Sequence, residues 1–508
     1  MGSRLFESVH LYHSMSTLTR QQVAERICEG QVLIIYRSQV LNATKWASHH
    51  PGGALALLHF VGRDATDEID AYHSESAKKR MTRMVVGQVE VDDKVGWRPL
   101  NPPISLGLLH CNGKWVCEGE VKLGRGIGLD VTPAQLEPES GLNLDVERVR
   151  SKAYQGLRQR IIDAGLFRRP GPLAGYGSDL VRYALLGFLA FYLYFRTTSW
   201  LGQMASATFL GLFYHQLTFL AHDSGHTGVT GDWWWDRVIG MIVADWIGGL
   251  SLGWWCDNHN IHHLVTNHPE HDPDIQHIPF FAISKEFFAG LWSTYYKRVM
   301  AFDAFSKAMI SLQHKLYFVV LSLARFNLYA NSYGYLAGKK PKHDAFWRFE
   351  IAGIAFFWLY FGLMLRNLPT WNMRLAYLLV SHIVTSPVHV QITLSHFACS
   401  TEDLGPTESF PSRQLRTTMD VICSPNVEFM HGGLHLQVTH HLFPRLPRHN
   451  LRKASLLVKD YCKEQDIIYR EHGFIEGNKH VLGVLEEVAR QLDLLKAVAD
   501  KEITERLH

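Results

Sequence analysis

Three short histidine clusters, each at or near a long apolar stretch, most tightly constrain what this chain can fold into. They are His222-Asp-Ser-Gly-His226, His259-Asn-Ile-His262-His263 and Gln437-Val-Thr-His440-His441. On a helix, positions i, i+3 and i+4 share one face, so His222 and His226 point the same way, as do His259, His262 and His263. Gln437, His440 and His441 repeat that spacing with an amide where the second cluster has an imidazole. A lone histidine is more often a satisfied polar residue than a ligand. Three clusters of this spacing in one chain read instead as a coordination shell. Imidazole suits iron, copper, nickel and zinc. A closed zinc site takes four ligands, so this set is too large for one zinc and fits two metals.

The rest of the composition narrows the class. A chain of 508 residues is expected to hold more than one domain. A net charge of +3 excludes an extended nucleic-acid footprint. The 7 cysteines are scattered and odd in number, which reads as reduced thiols facing a cytosol. The first twenty residues hold no apolar core, so no cleaved secretory signal is expected and insertion relies on internal spans. Residues 1–15 read as a disordered leader.

From about Thr17 to Val91 the pattern is that of a compact α+β domain. Gln31-Val-Leu-Ile-Ile-Tyr36 is a strand candidate. His50-Pro-Gly-Gly53 is a turn opening an apolar helix from Ala54 to Phe60, and Asp64-Ala-Thr-Asp-Glu68 starts another helix with its acids in the first turn, where the dipole favours them. His73 comes near the end of that helix. Two histidines near helix ends, with apolar side chains between, can ligate one haem from opposite faces. Spacing alone does not separate His50 from its neighbour His49. The ordered set His50-Pro-Gly-Gly53, Gly62-Arg-Asp-Ala-Thr66 and Ala71-Tyr-His73-Ser74 resembles a cytochrome b5 domain. That resemblance implies one haem b held by His50 and His73.

Residues 93–150 read as a linker, broken by Pro99, Pro102, Pro103, Pro133 and Pro138, with one hairpin around Asn112-Gly113. Such a tether raises the effective concentration of the haem domain at the C-terminal domain. Val146 to Leu166 reads as an amphipathic helix lying near the membrane. Four spans are expected, at about 178–196, 200–221, 348–366 and 374–394. Arg168, Arg169 and Arg182 precede the first, so its N-terminal side is expected to be cytosolic. Asp236 to Trp255, apolar but interrupted by Gly240, Asp245, Gly248 and Gly249, reads as a helix within the interface or packed under the metals. The mixture of aromatic and basic residues from Phe280 to Lys342 suits amphipathic helices at a membrane surface. Two spans separate the second cluster from the third, the even number needed for them to meet on one side. Leu442-Phe-Pro-Arg-Leu-Pro447 ends the third-cluster helix, and residues 450–508 read as soluble helices.

The whole cluster set resembles the membrane fatty-acyl desaturase superfamily, and Gln437 together with the cytochrome b5-like N-terminus resembles its front-end branch. Gly248-Gly-Leu-Ser-Leu-Gly-Trp-Trp255 and His268-Pro-Glu-His-Asp-Pro-Asp274 are most similar to fungal Δ8 sphingolipid desaturases. The resemblance implies a multi-domain protein. A small α+β haem domain (16–92) would be joined by the linker to an all-α integral membrane domain (151–475) with a cytosolic di-iron cap, and a helical tail (476–508) would end the chain. It implies two non-haem irons with His222, His226, His259, His262, His263, His440 and His441 as ligands. Gln437 can bind through its carbonyl oxygen, bind through a water, or support a ligand. One more histidine is expected from the end of the fourth span. His382, His389 and His396 share a helix face, and His396 is nearest the aqueous end. His215, His382 and His389 read as structural, and His431 and His435 lie off the pattern. Asp223 and Asp257 flank ligand positions and read equally as supports for histidine N–H groups or as helix-capping acids.

The implied activity is O2-dependent desaturation at C8 of the long-chain base of a ceramide-type sphingolipid. Electrons would come from the fused haem and, behind it, an NADH-cytochrome b5 reductase, at the endoplasmic reticulum membrane with haem domain and clusters cytosolic. The competing readings are a front-end Δ6 or Δ5 acyl-lipid desaturase, a lipid hydroxylase, and a membrane-anchored haem electron carrier. The last needs only His50 and His73 and leaves the three clusters unexplained.

Overall fold

The structure is a computed structural model that describes residues 16–90, 96–117, 142–338 and 341–507. The expected leader at 1–15 and the linker stretch at 118–141 lie outside the described residues. The chain divides into two units, residues 1–149 with 404–409, and residues 150–403 with 410–508.

The first unit is built on a four-stranded sheet in the order β1-β4-β3-β2, formed by β1 (Thr17–Leu18), β2 (Leu33–Tyr36), β3 (Gln39–Asn42) and β4 (Val85–Val89). β1 and β4 pair parallel and the other neighbours antiparallel. Helix Arg20–Cys28 starts with a capping box in which Thr19 and Gln22 satisfy each other's backbone N–H groups. It lays Val23, Ala24 and Ile27 on the core of Val32, Leu33, Ile35 and Val40. The short helices Ala54–Leu58, Thr66–Tyr72 and Glu75–Met81 sit between β3 and β4. Residues 96–117, expected as part of a loose tether, are instead packed onto this domain. Leu100, Leu108 and Trp115 belong to its core, Trp115 Nε1 donates to the Ile27 carbonyl (2.7 Å), and Trp97 Nε1 donates to that of Gly62 (3.0 Å). The hairpin Leu108–Cys111/Lys114–Cys117 turns on Asn112 and Gly113, both at positive φ (50° and 78°), as a two-residue hairpin turn of this twist requires.

The second unit is helical. Among the described residues, three helices are long and apolar enough to cross a membrane: Leu173–Arg196, Ala345–Asn367 and Trp371–Phe397. The stretch expected as a further span at 200–221 is helical over Trp200–Gly225 but is not apolar enough to count with them. The reason is a buried polar seam facing the bundle, Gln203, Ser206, His215 and Gln216. Gln203 Nε2 donates to the Tyr194 and Thr197 carbonyls, and Ser206 Oγ donates to that of Ala190 (2.7 Å). Exposed apolar side chains lie on both helices, Val181, Leu185, Phe188 and Phe195 on the neighbour and Trp200, Leu201 and Leu212 on this one.

Asp236 to Trp255 is not one helix. Helix Trp233–Met241 runs on through a π-helical turn, Ile242–Ile247, then breaks and resumes as Leu252–Leu264 at 116°. Gly249 takes φ 72° at the break. The carbonyls released there are caught from outside: Tyr360 OH donates to Ile247 (2.6 Å), Arg325 Nη2 to Gly248 (2.6 Å) and Tyr333 OH to Gly249 (2.8 Å). The resumed helix is capped by Ser251, whose Oγ accepts from Trp254 N–H and donates to the Glu350 carboxylate. Capture of these freed backbone groups is what permits a broken helix among apolar spans.

Helices Ala304–Ser311, Gln313–Ser322 and Ala324–Ala337 fill the region expected to be amphipathic. The last helix, Phe474–Leu507, packs Val481, Leu485, Val488 and Leu492 against Ile310, Tyr317 and Leu321 of the first two. Helix Leu144–Asp163 buries Tyr154, Leu157 and Ile161. That face meets protein, with Tyr154 stacked on Phe443.

A Cβ on Gly249 would come within 2.3 Å of Phe357 Cδ1. Gly249→Ala is therefore expected to destabilise the helical unit by about 1–2 kcal/mol for the left-handed backbone alone, with the clash added. A lowered unfolding temperature in detergent, with the haem absorbance retained, would show it.

Candidate metal centre

Four helix ends bring the histidines together. His222 and His226 close helix Trp200–Gly225; His259, His262 and His263 lie on Leu252–Leu264; His396 is at the end of Pro387–Phe397; Gln437, His440 and His441 are on Gln437–Leu442. The eight imidazoles form one contiguous cluster of two groups. In the first, one ligand nitrogen from each of His222, His226, His259 and His440 lies within 4.8 Å of the others; in the second, the same holds for His262, His396 and His441. His263 stands between, its ring centroid 4.8 Å from His440, 4.8 Å from His226 and 4.1 Å from His441, with its Nε2 3.0 Å from His259 Nε2. The 116° break aims the second cluster at the first.

The second group shows how each imidazole is oriented. Nδ1–H of His262 donates to Asp272 (2.9 Å), that of His441 to Gln414 Oε1 (3.0 Å), and that of His396 to the Thr417 carbonyl (3.2 Å). Each such bond fixes the tautomer and leaves the Nε2 lone pair facing the centre, the arrangement that metal-binding histidines need. In the first group, Asp274 Oδ2 lies 3.4 Å from His259 Nδ1 and Asp223 Oδ1 lies 3.6 Å from His222 Nδ1. Asp223 is itself held by Arg448 Nε (3.1 Å) and by the Tyr176 hydroxyl (2.8 Å), and Arg448 also pairs with Asp179.

Electrostatics keeps most of these rings neutral. Burial, reinforced by neighbouring imidazoles, holds His226, His263, His440 and His441 well below the usual histidine range. Burial brings His259 down to about 4 against the pull of Asp274. His262 goes the other way: burial disfavours its charge, but Asp272 and Asp274 outweigh it and raise its pKa. For Asp223 burial opposes ionisation, and the Arg448 guanidinium more than compensates, so its pKa is lowered.

The residues fit a metal pair. Nε2 of His226, His440 and His441 and Oε1 of Gln437 are fully buried with no hydrogen-bond partner. An orphaned buried polar atom costs about 1–3 kcal/mol, and metal coordination removes that cost for several atoms at once. An all-imidazole donor set suits late first-row metals and iron, and eight such rings exceed what one ion binds.

Of the remaining sequence candidates, Asp257 accepts from the Tyr295 hydroxyl (3.0 Å). His382 bonds Tyr329 OH (3.1 Å) and stacks on Phe326, His215 bonds Gln216, His431 bonds Gln391, and His435 bonds Arg452. None of these, nor His389, enters a metal group. Sequence reasoning missed Asp272, Asp274, Gln414, Thr417 and Arg448 as supports. Asp272-Pro-Asp274 shortly after the second cluster was a usable signal, while the others come from distant elements with no spacing to read.

In the first unit, the rings of His50 and His73 face each other with centroids 6.0 Å apart. Nδ1–H of His50 donates to the Gly53 carbonyl (2.9 Å), and that of His73 to the Ile69 carbonyl (3.2 Å), so both carry their lone pair on Nε2. His49 is exposed, bonded to Ser48 Oγ and stacked on Trp46.

The comparisons agree with this geometry. The fatty acid desaturase family matches residues 198–473, and the cytochrome b5-like heme/steroid binding domain family matches residues 19–90. The chain is similar to a Delta 8-(E)-sphingolipid desaturase of Emericella nidulans, with 42% identity covering 94% of this chain and 95% of that one. It is similar to one of Candida albicans at 38% (94% and 96% covered), and to a Delta(8)-fatty-acid desaturase of Helianthus annuus at 30% (93% and 92% covered).

The hydrogen bonds lead to two expected outcomes. Gln414→Leu removes the acceptor of His441 Nδ1–H and is expected to weaken metal retention about 10–100-fold, read as iron per haem by elemental analysis of purified protein. His50→Ala and His73→Ala are each expected to abolish the low-spin haem spectrum, which His49→Ala leaves unchanged.

Proposed function

The chain belongs to the fatty acid desaturase family, as a multi-pass membrane oxidoreductase fused to a cytochrome b5 domain, and from that premise we propose that it is a Δ8-(E)-sphingolipid desaturase. It introduces the double bond at C8 of the long-chain base of ceramide-type sphingolipids. The observation that carries the reading is the pair of adjacent imidazole groups at converging helix ends, in a chain alike over nearly its whole length to relatives bearing that name.

His222, His226, His259 and His440 would hold one iron and His262, His396 and His441 the other. His263 faces both groups, and Gln437 offers its orphaned Oε1 directly or through a water. Two irons held there supply, with O2 and two electrons, the oxidising power to take two hydrogens from neighbouring methylenes, the oxygen leaving as water. The chain's own residues do the rest. Asp272, Asp274, Gln414 and the Thr417 carbonyl fix the ring orientations, and Arg448 and Tyr176 hold Asp223 beside His222. The buried surroundings keep water out.

His50 and His73, each with its lone pair on Nε2, would hold the haem between them, and a haem so held would supply single-electron transfer. An NADH-cytochrome b5 reductase is the source of the electrons. Arg168 and Arg169 before Leu173–Arg196, with Arg182 in its N-terminal half, make its N-terminal side cytosolic. Trp200–Gly225, 26 residues long despite its polar seam, returns the chain, so that haem domain and clusters share the cytosolic side of the endoplasmic reticulum membrane.

Expression in a host lacking Δ8-unsaturated bases, with mass spectrometric location of double bonds, tests the reading. A new double bond at C8 of the long-chain base is expected, absent with His259→Ala. New double bonds only in glycerolipid acyl chains would replace the sphingolipid reading with a front-end acyl desaturase, and hydroxylated product would replace desaturation.

A further inference from the structure

One group of ligand-type side chains lies outside the desaturase centre and has no part in its chemistry. His472 is on the strand Glu471–Gly473, and Glu476 and His480 sit four residues apart in the first turns of helix Phe474–Leu507. A carboxylate and an imidazole at i, i+4 share a face, and the strand residue completes the set from the side. The rings of His472 and His480 have centroids 4.5 Å apart, and His472 Nδ1 lies 3.7 Å from Glu476 Oε1. One donor atom from each of the three lies within 4.8 Å of the others. Glu476 and His480 are exposed and His472 is half-buried, so the group faces solvent while Asn478 and Val481 pack inward.

We propose that His472, Glu476 and His480 form a binding site for a divalent transition metal of the zinc class, separate from the two irons. Two imidazoles and one carboxylate, with a position left for water, are a donor set that zinc accepts in tetrahedral geometry. Bond lengths of about 2.1 Å place tetrahedral donors about 3.4 Å apart. The present separations close to that by rotation of the two exposed side chains. The donors also order the metals, since zinc, nickel and copper outcompete manganese and magnesium at imidazole.

The position gives the site a structural consequence. Strand Glu471–Gly473 pairs parallel with Asp420–Ile422, and Asp420 Oδ1 accepts from the N–H of Val438 (2.8 Å), in the first turn of the helix bearing Gln437, His440 and His441. A metal joining His472 to the last helix pins the strand beside the one that holds the third cluster.

The test uses the full-length holoenzyme in detergent, purified on a tag without histidine and loaded with haem and iron. After exposure to zinc chloride and gel filtration, zinc and iron are counted together by mass spectrometry. About one zinc per chain is expected in addition to the iron, and it should be lost from His472→Ala and His480→Ala, and weakened in Glu476→Gln, with iron and haem content unchanged. Haem absorbance and the elution profile report that each variant is folded. Equal zinc in wild type and the histidine variants would overturn the proposal, as would zinc gained only in exchange for iron. Because the readout is metal content, it fails or succeeds independently of which lipid the enzyme desaturates.

Discussion

Packing eight imidazoles against one another away from water is the condition on which the helical unit depends. A neutral imidazole has one donor and one acceptor nitrogen, so every ring in the cluster needs a partner on each side. The fold meets the donor side with fixed acceptors: Asp272 for His262, Gln414 for His441 and the Thr417 carbonyl for His396. The remainder includes buried lone pairs without a hydrogen-bond partner, on Nε2 of His226, His440 and His441, which a bound cation would satisfy. On the proposed function the same arrangement would serve stability and coordination, linking folding to metal binding.

That requirement explains the oddest element of the fold. A straight helix through 233–264 would carry the second cluster away from the first. Breaking it by 116° turns Leu252–Leu264 toward His222 and His226, at the cost of freeing backbone groups among apolar spans. Tyr360, Arg325 and Tyr333 meet that cost at three successive carbonyls, and Ser332 and Asp245 at the amides of Ser251 and Leu252. The tyrosines and the buried arginine between the spans therefore have a defined task, which is to hold a bend that aims three ligands.

Local spacing was readable in the chain wherever the physics is local. The i, i+3, i+4 clusters lie on helices, the Asn112-Gly113 turn makes a hairpin, and the long apolar stretches at 348–366 and 374–394 fall within helices of spanning length. Where tertiary contact decides, spacing was silent. It does not tell that Gln203, Ser206, His215 and Gln216 make 200–221 a polar-seamed helix within the bundle, or that the apolar face of Leu144–Asp163 meets Phe443. Nor does it reach Gln414 or Arg448, whose partners are remote in the chain. Proline frequency misled at 96–117, because Trp97, Leu100 and Trp115 anchor that stretch to the haem domain regardless of its irregular backbone.

The third cluster shows most directly that the centre is made by the fold around it. Its helix, Gln437–Leu442, has 6 residues, far below the length at which a helix persists alone. It survives because both ends are tied elsewhere. Asp420, itself bonded by the Tyr469 hydroxyl, takes the Val438 N–H at one end, and Tyr154 donates to the Leu442 carbonyl at the other (2.7 Å). Between them Gln414 holds His441 and, through its Nε2, the backbone carbonyl of His263, so one amide links the second cluster to the third (2.8 Å). The positions of His440 and His441 are consequently a property of the whole cap. A substitution at Asp420, Tyr154 or Gln414 therefore acts on the placement of His440 and His441 without touching either ring's inward face.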